Sequence, residues 1–188
     1  MVYCLRSMRG EDVSQVTEID LACYPTMMPA PNYQAELTNP LAHYIVVVDN
    51  DPTTLSNRSP GPYIPGFAGI WLMAGEAHVI NVAVRTKNRL EGLGELLFIG
   101  LIQQAQILMA RLITLEVRVS NVAAQRLYVK YGLTERGRRR AYYNDNREDA
   151  IIMTLDDPSS IAYEVAFNTL RQEYAKKWLR DTALMIDS

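Results

Sequence analysis

The chain has 188 residues, 48% of them hydrophobic and 21% charged, with a formal net charge of −2. That length gives one domain with a sizeable core rather than two, and the composition excludes wholesale disorder. The near-neutral balance provides no general attraction to nucleic acid or membranes, and no apolar run approaches the roughly eighteen residues a spanning helix needs. Met1 to Arg6 lacks the layout of a secretory signal, so a cytoplasmic protein is expected. Cys4 and Cys23 read as two reduced thiols, and with only two histidines no metal site is expected.

In chain order, Tyr3 to Arg6 reads as a first strand, and Val13, Val16 and Ile19 recur at helical spacing between Gly10 and Ala22. The prolines between Pro25 and Pro31 stop that helix, and Asn32 to Thr38 forms a short second one before Pro40. Tyr44 to Val48 is a β-branched run suited to a strand buried on both faces. Asp51 to Gly66, with four prolines and two glycines, reads as a long exposed loop. Phe67 to Met73 and His78 to Val84 then form a hairpin around Gly75-Glu76.

From Gly92 the period changes. Leu93, Leu97, Leu101, Ala105 and Leu108 share one helical stripe. Leu112 to Val119 alternates as a strand, with Thr114, Glu116 and Arg118 on its polar side. Either Ser120 or Asn121 can cap the next helix, which ends at Gly132, a suitable left-handed residue. Strands near Thr134 to Arg138 and Ala150 to Leu155 flank a polar turn at Asn144 to Asn146. Pro158 onward adds a helix. The order predicts a mixed α/β (α+β) domain over residues 1–157 and a helical extension over 158–188.

Two glycines opening an apolar helix directly after a strand let backbone N–H groups approach an anion. By itself this is a weak signal, since a permissive turn looks the same. The wider pattern is more specific. Arg89-x-x-Gly92-x-Gly94 resembles the pyrophosphate loop of the GNAT superfamily of acetyltransferases. The likeness continues through Leu115 to Asn121, Ala123-Ala124, Leu127-Tyr128, Tyr131 to Leu133, Arg140 to Tyr143 and Arg147 to Met153. Together these segments resemble the bacterial ribosomal-protein alanine N-acetyltransferases, specifically from about Ala77 to Leu155 and not after Pro158.

The resemblance implies the GNAT acyl-CoA N-acyltransferase fold, a central mixed, mostly antiparallel sheet flanked by helices, with acetyl-CoA as cosubstrate and no metal. Val82, Ala83 and Val84 would pair with the pantetheine arm. Arg89, Leu90, Glu91, Gly92, Leu93 and Gly94 would hold the diphosphate, and Asn121 would contact the cofactor. Glu116 stands at the family's general-base position and Tyr128 at its general-acid position, twelve residues on. Tyr24, Tyr142 and Tyr143 are candidate walls for the substrate. The substrate implied is the N-terminal segment of a ribosomal protein, alanine first, with no direct nucleic acid or membrane partner and a monomer or weak homodimer.

Taken singly, each residue has an ordinary reading: Glu116 as a solvated strand residue paired with Arg118, Tyr128 as a core aromatic, Asn121 as a helix cap. The constellation is what favours the enzyme. Leu90 stands where relatives commonly carry glycine, and Glu91 where they carry a basic or neutral residue. An anionic side chain beside a diphosphate is unfavourable unless it points away. Arg138-Arg139-Arg140 reads either as a phosphate or acidic-peptide contact or as a solvated turn. Rival functions are acetylation of small amines and a binding module of the same fold without turnover.

Overall fold

The computed structural model describes residues 3–24, 31–49, 62–179 and 184–185. Strand β1 (Tyr3–Ser7) leads through a 3-10 turn, Gly10–Asp12, into α1 (Val13–Cys23) and the single turn α2 (Tyr33–Glu36). Strands β2 (Ala42–Asp49), β3 (Tyr63–Met73) and β4 (Glu76–Val84) follow, then α3 (Leu93–Ile107), β5 (Leu112–Arg118) and α4 (Val122–Lys130). Strands β6 (Thr134–Arg139) and β7 (Ala150–Asp156), helix α5 (Ile161–Trp178) and the short β8 (Leu184–Met185) complete the order.

One eight-stranded sheet runs β6-β7-β5-β4-β3-β2-β1-β8. All neighbours are antiparallel except β4–β5 and β1–β8. Helix α3 is apolar almost all round, as a helix packed at the centre must be, and its Leu93, Leu96, Leu97 and Leu101 are fully buried. Against it lie Ile45 and Val47 of β2, Ala68 and Ile70 of β3, and Ile113, Leu115 and Val117 of β5. Helices α1 and α2 cover the other face, where Val16, Ile19 and Tyr33 meet Val46, Val48, Ile64 and Phe67. The connection from β1 to α1 is locked by a buried fork: Arg6 donates to both carboxylate oxygens of Asp12, at 2.6 and 2.8 Å.

The structure departs from the sequence expectation at two strands. Strand β3 begins at Tyr63, so Tyr63 to Gly66 belong to the sheet rather than to an exposed loop. Pro65 is tolerated because β2 and β3 slip register between Val47 and Asp49, beside it. Residues 50–61 and 25–30, which hold the rest of that loop and most of the early proline cluster, lie outside the described residues. Strand β8 has no counterpart in the expectation: two residues carry too little period to declare themselves. Helix α5, expected as an addition, buries Phe167 and Tyr174 in the same core as α3.

Candidate active site

Strands β4 and β5 pair only from Glu76 to His78 against Leu112 to Thr114. Beyond that point they part, and the cause is local. Against β3, Gly69 faces Asn81 but Ile70 faces Val79, so Ile80 is an extra residue, a bulge. A bulge adds twist and exchanges which side chains face which layer. Before it Ala77 and Val79 enter the α3 core; after it Val82 and Val84 pack there and Ala83 turns to the α1 side. Arg85 N–H donates to Pro65 O at 2.8 Å across β3. By the alternation of an antiparallel ladder, Val82 and Val84 therefore direct their peptide groups into the gap. Their carbonyls are already taken, Val82 O by the Tyr24 hydroxyl at 3.0 Å and Val84 O by Cys23 Sγ at 3.5 Å. Their N–H groups are the donors this edge offers to a ligand.

Glu116 stands on β5 at the lip of this gap. Its side chain is only 8% exposed, and its partners differ from the Arg118 expected from sequence. His78 Nε2 lies 2.6 Å from Oε2, and Arg139 Nε lies 3.0 Å from Oε1. Register explains both. His78 is at the end of the β4–β5 pairing on the same face, and Arg139 is diagonal to Glu116 across β7. The His78 hydrogen bond, helped by the charge on Arg139, holds the Glu116 carboxyl below the usual range although burial opposes this. A carboxylate accepts only, so His78 carries its proton on Nε2. Arg118 points elsewhere: it pairs with Asp145 at 2.8 Å and Glu148 at 3.2 Å and lies 3.8 Å from the centre of the Tyr143 ring.

Tyr128 is the buried residue of α4. Its ring packs at 4.9 Å on Phe98, and burial pushes its phenol up to about 12, with Tyr143 adding to the shift. The phenol is thus neutral at any physiological pH. Tyr128 also contributes to raising the pKa of Tyr24, after the larger effect of burial, so the two hydroxyls share one neighbourhood. Tyr142 and Tyr143 stand edge to face at 5.2 Å, and Tyr143 Oη donates to Glu116 O at 3.5 Å. The turn carrying them is held by Arg118 and by Ala141 N–H on Asp149 Oδ1 at 2.8 Å. Of the expected wall residues, Tyr143 stands at the Glu116 carbonyl with Tyr142 against it, and Tyr24 stands at the Val82 carbonyl.

At the other end of β4 the chain turns through Thr86–Asn88 into the glycine segment. Gly92 caps α3 with φ +77° and without a side-chain hydrogen bond, so the first N–H groups of a fifteen-residue helix stay available to an anion. At Gly94 an added Cβ would meet nothing within 4 Å, which leaves room for a diphosphate against the backbone. Leu90 holds φ +64° and is 98% exposed. A left-handed non-glycine residue costs on the order of 1–3 kcal/mol and persists only where its surroundings impose it. Glu91 is turned back into the protein, where its Oε2 accepts from Tyr3 Oη at 3.0 Å. The adverse charge expected beside a diphosphate is thereby directed toward β1. Arg89 lies back over the end of β4, its Nε 3.4 Å from Val84 O. Leu93 is buried in the core. Asn121, and not Ser120, is the cap of α4: its Oδ1 accepts from Ala124 N at 3.2 Å.

Sequence reasoning missed His78 and Arg139. The polar face of a short strand gives no sign of its cross-strand partners, although His78 at an alternating position of β4 was a visible signal.

A sheet split between two parallel neighbours, with a glycine turn opening a helix beside the split, is the architecture of the acetyltransferases that use acetyl-CoA. Residues 13–133 match the acetyltransferase (GNAT) family, and the chain belongs to it and is an enzyme of that type. A Bacillus subtilis strain 168 protein, named a candidate ribosomal-protein-bS18-alanine N-acetyltransferase, is 37% identical over 150 residues, 79% of this chain and 92% of that protein. The Escherichia coli K12 ribosomal-protein-bS18-alanine N-acetyltransferase is 42% identical over 91 residues, 47% of this chain and 62% of that one. The crystal structure of an Escherichia coli ribosomal-protein-S18-alanine N-acetyltransferase superposes with a TM-score of 0.67 at 26% identity, over 85% of this chain and 96% of that one. A candidate streptothricin acetyltransferase from Bacillus anthracis, solved with acetyl coenzyme A, shares the fold at 20% identity with a TM-score of 0.64, over 83% and 98%.

Proposed function

We propose that this enzyme transfers the acetyl group of acetyl-CoA to the N-terminal α-amine of a ribosomal protein whose first residue is alanine. What supports the reading is a buried carboxylate, Glu116, on the strand that parts from β4 beside the Val82 and Val84 amides, together with a buried neutral phenol, Tyr128, on the helix that follows. The names of the similar Bacillus subtilis and Escherichia coli proteins supply the substrate. Such a substrate places the enzyme in the cytoplasm.

The donor set suits acetyl-CoA. Peptide groups of Val82 to Val84 would hold the pantetheine arm, and the α3 N-terminus from Gly92 to Gly94 the diphosphate. The bound donor supplies a thioester carbonyl. An N-terminal amine, with a pKa of roughly 7.7–8.0, must lose a proton as it attacks that carbon. Glu116 receives the proton, directly or through a water. Its depressed pKa makes it a weak acceptor, but the nitrogen becomes far more acidic once the N–C bond forms. His78 and Arg139 keep the carboxylate ionised and aimed. The free N–H at Val82 stabilises the oxyanion. As the C–S bond breaks, Tyr128 donates to the departing sulfur. Complete transfer from a phenol near 12 to a thiolate near 8.5 is uphill by about 5 kcal/mol, so Tyr128 acts by hydrogen bonding until the thiolate is protonated.

The aromatic walls Tyr24, Tyr142 and Tyr143 and the cations Arg118 and Arg139 suit an extended peptide end better than a polycationic small amine. Intact-mass analysis of peptides with varied first residues, N-blocked lysine peptides and spermidine tests the reading. Acetylation of the free α-amine, alanine first, is expected; modification of lysine side chains or spermidine alone would refute it.

A further inference from the structure

Helix α5 lies outside the part of the chain that matches the family, residues 13–133, yet its last two turns end against the phosphate loop. Tyr174, 1% exposed, donates from Oη to Gly92 O at 3.2 Å. The Trp178 ring occupies the space where a side chain at residue 92 would be: an added Cβ would lie 2.4 Å from indole Cε2. On the other side Tyr3 holds Glu91. These contacts bracket a segment with two left-handed residues, Leu90 and Gly92, of which the first is strained. In the first turn of α5, Tyr163 Oη donates to Tyr131 O at 3.0 Å, at the end of α4 rather than at that loop.

We infer that Tyr174 and Trp178 are positioning residues for the diphosphate end of acetyl-CoA: α5 clamps the Leu90–Gly92 turn in the conformation that presents the α3 N–H groups. Two observations point this way. Tyr174 holds the Gly92 carbonyl and Trp178 stands where its side chain would be, so α5 fixes the turn at the residue that opens α3. Gly92 is also required twice, by its own φ and by the indole that fills its missing side chain. A preorganised loop binds more tightly because less ordering accompanies binding. The clamp acts on cofactor affinity and leaves the chemistry at Glu116 and Tyr128 alone. This inference rests on the acetyl-CoA reading above.

The test measures CoA binding by calorimetry, and KM for acetyl-CoA and for an alanine-first peptide, in wild type and four variants. Tyr174→Phe, which deletes one hydrogen bond, should weaken CoA binding about threefold, and Trp178→Ala about tenfold or more. Trp178→Phe should recover most of the loss. Tyr163→Phe, which removes a comparable α5 bond at the α4 end, should bind CoA as wild type does. Peptide KM and kcat at saturating acetyl-CoA should stay within about twofold throughout. Hydrogen exchange of residues 89–94 without ligand should accelerate in Trp178→Ala and not in Tyr163→Phe. Unchanged CoA affinity in Tyr174→Phe and in folded Trp178→Ala overturns the clamp, as does an equal effect of Tyr163→Phe. Should Trp178→Ala fail to fold, unchanged affinity in Tyr174→Phe overturns it alone. A wild type that binds no CoA overturns the functional reading itself.

Discussion

Replacing Glu116 by Gln separates its chemical role from its structural one, because the two effects differ widely in size. The amide keeps the shape and leaves His78 and Arg139 facing a neutral oxygen. Those partners are 32% and 53% exposed and can rehydrate, so the loss of stability is on the order of 1 kcal/mol, a fall of roughly 2–4 °C in Tm for a chain of this size. A general base contributes about 10²–10⁴ in rate, or roughly 3–5 kcal/mol of barrier. The assay is kcat/KM for an alanine-first peptide between pH 6 and 9, with a thermal melt beside it. In wild type and variant alike the attacking amine is neutral, so kcat/KM should rise with pH in both and level off near the amine pKa, roughly 7.7–8.0. The variant should run about 10²–10⁴-fold below wild type across the range, because no side chain then takes the proton from the adduct. A variant that melts near wild type and keeps its rate within twofold across that range would refute the assignment.

Tyr128→Phe keeps the ring against Phe98 and removes only the hydroxyl, so Tm should hold while kcat falls about ten- to a hundredfold and KM for acetyl-CoA barely moves; an unchanged kcat would reject the acid role. Glu91→Gln retains an acceptor for Tyr3 and should leave KM for acetyl-CoA within about twofold, whereas a severalfold tightening would show that the charge does face the diphosphate. In acid, Glu116 and Glu148 set one slope of the stability curve. Hydrogen bonds from Ser120, then Asn146 and Arg118, hold Glu148 down at about 2, and His78 with Arg139 lowers Glu116. Lowered folded values mean stability present above the ordinary carboxylate range, about 4.3, and lost as pH falls through it toward 2. Urea midpoints between pH 7 and 3 should therefore fall less steeply in Glu116→Gln and Glu148→Gln than in wild type; parallel curves would contradict the shifts.

Of the candidate site, the sequence offered residues and, through the family likeness, roles for them. Gly92 and Gly94 suggested room for an anion at a helix start, and the likeness to the family, not the residues taken singly, implied a base at Glu116 and an acid at Tyr128. What spacing could not give is which groups meet. Arg118, one turn of the strand pattern from Glu116, was the natural partner on paper, yet it serves the 143–148 turn. His78 and Arg139, separated by sixty-one residues in the sequence, take its place. Glu91 looked adverse because a sequence does not say which way a loop residue points. Asn121 matched both a cap and a cofactor contact, and its side chain is engaged as the cap.

By itself the sequence determined the elements, since periods of two and of 3.6 residues and the turn chemistry are local properties. It also determined the family, through short segments whose residue types are constrained by the ligand and the reaction. Only the tertiary structure decided the rest: the bulge at Ile80 that parts β4 from β5, the pairing of Glu116 across strands, and the seating of α5 on Gly92. These depend on register and on contacts between residues far apart in the chain. A one-residue slip in a sheet changes which side chains face each other, and no local pattern encodes that choice.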